Sequence, residues 1–262
     1  MRVALGRYSL EVEDHGAGMP LVLLHGFPLA GEIFAPMRPA LEQVARVITP
    51  DLRGFGRSDK PAGDYSIASL ADDVVAVADR LGFDRFVLGG HSMGGYITLH
   101  VAATHSERLA GMLLLNSRAE ADTAEAAGRR RNAIAGIHQG GGAVFLNSFV
   151  PNLVGPTTRD RAPRFLAELR AIAADVPDHV LIACQEGMLA REDRTALLGT
   201  LDVPTLIVAG EEDGLIPVES AQAMAAALPH GRLVTIAGAG HTAVIERPIA
   251  VSDAVVSFLR SL

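Results

Sequence analysis

Ser92, His241 and an acid near position 213 are the residues of this chain whose types and settings could carry nucleophilic chemistry. Ser92 is the centre of GHSMG (90–94), a G-x-S-x-G pattern preceded by the apolar run FVLGG and followed by the helical pattern MGGYITLHVAATH. A sharp strand-to-helix turn at that point lifts the hydroxyl above a sheet and sets it at a helix N-terminus. Backbone N–H groups there favour developing negative charge. Gly90 and Gly94 remove side chains that would collide across such a turn. A Gly-rich turn could use the same serine as a plain helix cap, but both flanking elements are those a nucleophile needs.

A serine hydroxyl is a weak nucleophile and needs a general base. Of the nine histidines, only His241, in GAGHTAVIERP, follows a strand pattern late in the chain. Parallel strands end on one face, so that loop falls at the same sheet edge as Ser92. The imidazole in turn needs a carboxylate to fix its tautomer. The loop VAGEEDGLIP offers Glu211, Glu212 and Asp213, of which Asp213 is favoured. An oxyanion hole needs two N–H donors. The Met93 amide, just after the nucleophile, is one. The Phe27 amide, in HGFP (25–28) after the strand ending at Leu24, is the other. The order Ser, Asp, His along the chain is that of a strand–turn–helix nucleophile fold.

The elements that must hold these residues alternate in kind. Strands are predicted at 2–13 (an edge strand or hairpin), 20–26, 44–50, 86–92, 109–117, 203–210 and 231–238. Helices are predicted at 36–43, from Ser66 to Gly82, after Ser92, at 220–229 and at 248–262. This βα alternation implies a mostly parallel sheet covered on both faces. Between 118 and 200 the rhythm breaks into helical pieces cut by Gly140-Gly141-Gly142, Pro151, Pro156, Pro163 and Pro177. The expected organisation is a core of residues 1–117 and 201–262 interrupted by a helical cap at 118–200.

Bulk composition limits the function classes. A chain of 262 residues with 49% hydrophobic and 20% charged residues suits a globular domain that needs no disulfide staple. The net charge of −7 disfavours nucleic acid as a partner, and Arg129-Arg130-Arg131 reads as a solvated helix face. The single cysteine, Cys184, sits in an apolar stretch and reads as a buried structural thiol. No signal peptide and no membrane span is expected, and a cytoplasmic setting is the default. Gly54-Phe55-Gly56 begins like a dinucleotide fingerprint, but Asp59 stands where its third glycine belongs. There is no H-E-x-x-H and no Cys-x-x-Cys, and His100 and His105 are five apart, so no metal and no cofactor is expected.

Five pieces, HGFP (25–28), DLRGFGRSD (51–59), GHSMGG (90–95), GEEDGLIP (210–217) and GAGH (238–241), together resemble the α/β-hydrolase superfamily. The chain looks closest to small carboxylesterases and 3-oxoadipate enol-lactonase-like hydrolases. The resemblance implies an eight-stranded, mostly parallel sheet flanked by helices, with an inserted helical cap. It supports Asp213 as the acid. Some relatives place the acid after the strand at 109–117 instead, where this chain has Asn116, with Glu120 and Asp122 further on. A serine nucleophile argues against the dehalogenases and epoxide hydrolases of this fold, and the absence of Trp lowers the carbon–carbon hydrolase reading.

The expected reaction is hydrolysis of esters with small or medium acyl groups through an acyl-enzyme. Enol-lactone opening is the runner-up, and perhydrolysis is a variant of the same chemistry. A non-catalytic ligand-binding protein of this fold is the alternative of another class. The partner is a small-molecule ester or lactone, handled by a monomer or homodimer. The pocket between core and cap is expected to be apolar, lined by Phe27, Phe34, Met93, Phe145, Phe149 and Leu215.

Overall fold

A computed structural model describes residues 1–262. Eight strands form one sheet: β1 (Arg2–Ala4), β2 (Ser9–Gly16), β3 (Pro20–Leu24), β4 (Arg46–Pro50), β5 (Phe86–His91), β6 (Leu109–Leu115), β7 (Thr205–Gly210) and β8 (Gly231–Ile236). Their spatial order is β1-β2-β4-β3-β5-β6-β7-β8. β1 and β2 pair antiparallel, as does β2 with β4, and every pair from β4 to β8 is parallel. Residues 2–13 therefore resolve into a hairpin with its second strand on the sheet.

The apolar runs become central strands because both faces are covered. In β3, Leu21 and Leu23 point to one layer and Val22 and Leu24 to the other. The first layer takes helices α1 (Arg38–Leu41) and α12 (Pro248–Leu259); the second takes α2 (Ile67–Arg80), α3 (Met93–Thr104) and α10 (Val218–Ala227). Ser66 caps α2 by accepting the Ser69 N–H at 3.2 Å, and Gly82, at φ +73°, ends it. The helix expected over 36–43 shrinks to the four residues of α1, preceded by a 3-10 turn at Gly31–Phe34.

Between β6 and β7 the chain is entirely helical in its regular structure: α4 (Ala124–His138), α5 (Gly142–Phe149), α6 (Pro156–Arg161), α7 (Arg164–Ala173), α8 (Asp178–Leu189) and α9 (Thr195–Leu198). After β8, a short α11 (Ala243–Glu246), which no periodicity suggested, precedes α12. No helix is long and apolar enough to cross a membrane. Because β3 to β8 run parallel, the loops after β3, β5, β6, β7 and β8 open at one edge of the sheet. Phe27, Ser92, Asn116, Asp213 and His241 lie on those loops.

Candidate active site

Ser92 joins β5 to α3 in an unusual conformation, φ 52° and ψ −114°. L-residues rarely adopt it, so neighbours must hold it. Its N–H donates to the Leu115 carbonyl at 2.9 Å, and its own carbonyl accepts the Gly95 N–H at 2.9 Å and the Ser117 hydroxyl at 2.9 Å. The glycines are required by contact: a Cβ on Gly90 would overlap the main chain of Gly94, and one on Gly94 would overlap the Leu24 carbonyl.

The loops after β5, β7 and β8 bring three of the sequence-predicted residues into line. His241 Nε2 lies 2.8 Å from Ser92 Oγ, and His241 Nδ1 lies 2.8 Å from Asp213 Oδ2. The carboxylate can only accept, so Nδ1 carries the ring proton and Nε2 is free to take one from the serine. Both side chains are almost sealed from solvent, at 3% and 1% exposure. Asp213 is held from several sides. Its Oδ1 accepts the N–H groups of Leu215 at 2.9 Å and Ile216 at 3.0 Å, and its Oδ2 accepts the Asn116 amide at 3.0 Å. Burial alone would raise its pKa; His241 and these donors outweigh burial and hold the carboxyl below its ordinary value.

The competing acids go elsewhere. Glu212 accepts the Thr157 N–H at 2.9 Å and the Thr157 hydroxyl at 2.5 Å. Asn116, at the end of β6, supports Asp213 rather than replacing it. Asp122 is engaged with arginines.

The two amides expected as oxyanion donors have no partner within the regular structure. The Phe27 N–H donates to no main-chain or side-chain group of the protein. Met93 is the first residue of α3, where N–H groups have no intrahelical acceptor. His25 braces this loop from below: its Nδ1 contacts the Gly26 carbonyl at 3.0 Å, and its Nε2 accepts the Leu52 N–H at 2.9 Å. A Cβ on Gly26 would come within 2.9 Å of the Ser92 Cβ, so glycine lets the loop pass close to the nucleophile.

Ser92 and His241 open into a cavity of about 250 Å³ between the sheet edge and the helices α4, α5 and α8. Phe27, Phe145, Phe149 and Leu215 line it, and the three phenyl rings pack within 6.1 Å of one another. Two expected lining residues do not. Phe34 lies in the 3-10 turn at Gly31–Phe34, where its ring is buried at 1% exposure against α1 and β4, away from Ser92. The Met93 side chain, at 0% exposure, turns into the core under α3, leaving only its backbone toward the site.

Other residues of the site went unread in the sequence. Tyr96, Arg118, Arg130, Gln185, Met188 and Ile216 also line the cavity. Arg130 corrects the solvated-face reading of the arginine run. Arg129 is 66% exposed, but the Arg130 side chain, 18% exposed, turns inward on the face that α4 packs against α8. The helical period that places Ala126, Ala127 and Ile137 on the buried face of α4 was the available signal. Glu246 and His91 bind the histidine loop through main-chain contacts, which no side-chain pattern reveals. Cys184 is buried, and burial pushes its thiol pKa up. No cluster of three or more His, Cys, Asp or Glu side chains converges as a metal site would.

Residues 19–176 match the family model described as alpha/beta hydrolase fold, and residues 179–262 match one described as TAP-like protein. The chain is 30% identical to the AB hydrolase superfamily protein YisY of Bacillus subtilis, over 97% of this chain and 96% of that one. Its structure is similar to a thermophilic esterase from Thermogutta terrifontis, solved with malate bound. The TM-score is 0.94 at 35% identity, covering 100% of this chain and 98% of that one. It is also similar to the enol-lactonase of Burkholderia xenovorans, with a TM-score of 0.91 at 26% identity, over 99% and 100%.

Proposed function

Because this chain belongs to the α/β-hydrolase fold family, we propose that it is a serine hydrolase cleaving carboxylic esters of small or medium acyl groups. The observation that carries the reading is the pair of 2.8 Å contacts through the His241 ring, Ser92 Oγ to Nε2 and Nδ1 to Asp213 Oδ2. Ser92 Oγ attacks the ester carbonyl as its proton passes to His241 Nε2. Asp213 stabilises the resulting imidazolium. The amides of Phe27 and Met93 receive the oxyanion. Collapse breaks the acyl–alcohol bond, and His241 returns the proton to the departing alcohol. Water then attacks the acyl-enzyme, giving its proton to His241, and the acid leaves as Ser92 regains its hydrogen. The phenyl rings beside Ser92 suit an apolar acyl chain.

Lactone opening is the second reading, supported by the likeness to an enol-lactonase over the whole chain. It would use the same atoms, the leaving alcohol staying tethered to the acid.

The test is a series of p-nitrophenyl esters of rising chain length, run beside an enol-lactone, with labelling by a fluorophosphonate. Turnover and a single label on Ser92 are expected. Ser92→Ala should lose both, with kcat falling by about four orders of magnitude or more. Ester turnover surviving in Ser92→Ala would sink the mechanism. A folded protein without turnover on any ester or lactone, and without label, would favour a binding role.

A further inference from the structure

Beside its phenyl rings, the cavity that holds Ser92 carries Arg118, Arg130, Gln185 and Tyr96. Behind them lies one carboxylate, Asp122, with its side chain 2% exposed. It receives Arg130 Nε at 2.6 Å, Arg118 Nη2 at 2.8 Å and Arg191 Nη1 at 2.9 Å. The three guanidinium side chains are 4 to 18% exposed. Asp193 adds its charge near Arg191, so three cations against two carboxylates leave one positive charge in excess, shared by Arg118 and Arg130 on Asp122. The neighbouring Glu120 does not pair with it: its Oε2 is buried with no hydrogen-bond partner, and only its main-chain carbonyl meets Arg191. Net charge withdrawn from water is costly unless an opposite charge comes to it.

Donors are in excess as well. Arg130 commits Nε to Asp122 and Nη1 to Gln185 Oε1 at 2.7 Å, which leaves its Nη2 without a protein acceptor. Arg118 commits only Nη2; its Nε is buried and unpartnered. The Gln185 amide nitrogen, on the same cavity wall, adds another donor. Tyr96 sits under Arg191, whose guanidinium carbon is 4.2 Å from the ring centre. Arg130 and Gln185, both lining the cavity, thus keep N–H groups with no acceptor on the protein, and Arg118 Nε is buried behind them without one. A planar group with two acceptor oxygens and one negative charge matches such an array.

We propose that Arg118, Arg130 and Gln185 form a subsite for a carboxylate carried by the substrate, so that the preferred esters are those of acids or alcohols bearing a second, ionised carboxyl group. The inference rests on ester hydrolysis at Ser92 and adds the charge of the molecule delivered there.

Two pairs of substrates test it. On the acyl side, the mono-p-nitrophenyl ester of glutarate is compared with p-nitrophenyl hexanoate. On the alcohol side, the butyrate ester of 4-hydroxybutanoate is compared with pentyl butyrate, followed by acid release. In one pair the charged ester should have a kcat/KM at least about tenfold higher, as a charge-assisted contact allows. The gap should narrow as salt rises toward about 0.5 M. Arg118→Met and Arg130→Met should each erode the ratio of charged to neutral ester. Equal or lower rates for the charged member of both pairs would overturn the subsite, as would an undiminished ratio in both variants. Should a variant fail to fold, inhibition of the native enzyme decides: glutarate should compete with p-nitrophenyl hexanoate, and glutaramide should not. If no ester is turned over at all, the hydrolase reading falls. Glutarate binding measured by calorimetry would then still decide the subsite by itself.

Discussion

His91 Nε2 lies 2.7 Å from the main-chain carbonyl oxygen of His241, so the residue before Ser92 anchors the residue proposed as its base. The carbonyl can only accept; Nε2 therefore donates, and Nδ1 is left buried without a partner. The two rings stand 5.1 Å apart. Burial, with the charge of His241 adding to it, pushes the His91 pKa down to about 3. At neutral pH the ring stays uncharged and would not repel the imidazolium that the proposed mechanism forms on His241. His91→Phe keeps the ring and removes the donor. It should lower kcat about tenfold, the worth of one hydrogen bond, with KM nearly unchanged. Steady-state kinetics on p-nitrophenyl butyrate beside a thermal melt would check this. An unaltered kcat in a folded variant would remove His91 from the positioning apparatus.

Asp213→Asn should cost far more. The carboxylate fixes the His241 tautomer with Nε2 free, and an amide at that place can present its NH₂ to Nδ1 and reverse the ring's proton. The expected loss in kcat is about three to four orders of magnitude, with a matching fall in the rate of fluorophosphonate labelling. KM should move little, because Asp213 does not line the cavity. Activity within about tenfold of the native enzyme would contradict its role as the acid.

The sheet and most of its loops were legible because apolar runs and turn glycines report local physics. VPTLIVAG becomes a strand buried at every residue of β7, and GHSMGG becomes a turn whose glycines have no room for a Cβ. The misreadings have a common origin. Phe34 is aromatic and close in sequence to HGFP, but a 3-10 turn carries it to the opposite layer. Arg130 looked solvated because charge alone says so. Its inward turn depends on Asp122 and Gln185, the latter more than fifty residues away along the chain. Asn116 stands where some relatives of this fold place the acid. Its supporting role appears only once β6 and β7 pair and bring its amide to Asp213.

Asp122 should make stability depend on acid in a defined direction. Burial raises its pKa, but Arg130 and Arg191 outweigh burial and hold it below the ordinary 3.8. A carboxyl depressed in the folded state contributes stability that is fully present above its unfolded value and lost as pH falls through its folded value. The native protein should therefore weaken progressively below about pH 4. Asp122→Asn leaves three guanidiniums without their carboxylate and should cost about 3–5 kcal/mol at pH 7. The difference from native should shrink as acid protonates Asp122. Urea midpoints at pH 7 and near pH 3 would measure it; a constant difference between the two proteins would contradict the assignment.

Glu246 joins the helical segment between β6 and β7 to the histidine loop. Its carboxylate, 4% exposed as a residue, accepts the Gly155 N–H at 2.9 Å, the Gly240 N–H at 3.0 Å and the Thr242 N–H at 3.2 Å. Gly240 and Thr242 flank His241, so one acceptor sets both ends of the residue that must meet Ser92. Gly155 lies in the segment between β6 and β7, and the same carboxylate fixes that segment above the site. Glu246→Gln keeps the size but puts an NH₂ where the Gly155, Gly240 and Thr242 N–H groups are already donors, the Thr242 hydroxyl oxygen being the one facing acceptor. At least one of the three N–H groups is then left buried without a partner, at a cost of about 1–3 kcal/mol. The loop should shift, and kcat should fall about tenfold or more, because small misplacements of a proton-transfer pair are expensive. Glu246→Asp, which keeps the charge on a shorter arm, should recover part of the loss. Melting curves and kcat measured together would separate the two effects. A less stable variant with native kcat would mean that Glu246 holds the fold and leaves His241 where it was.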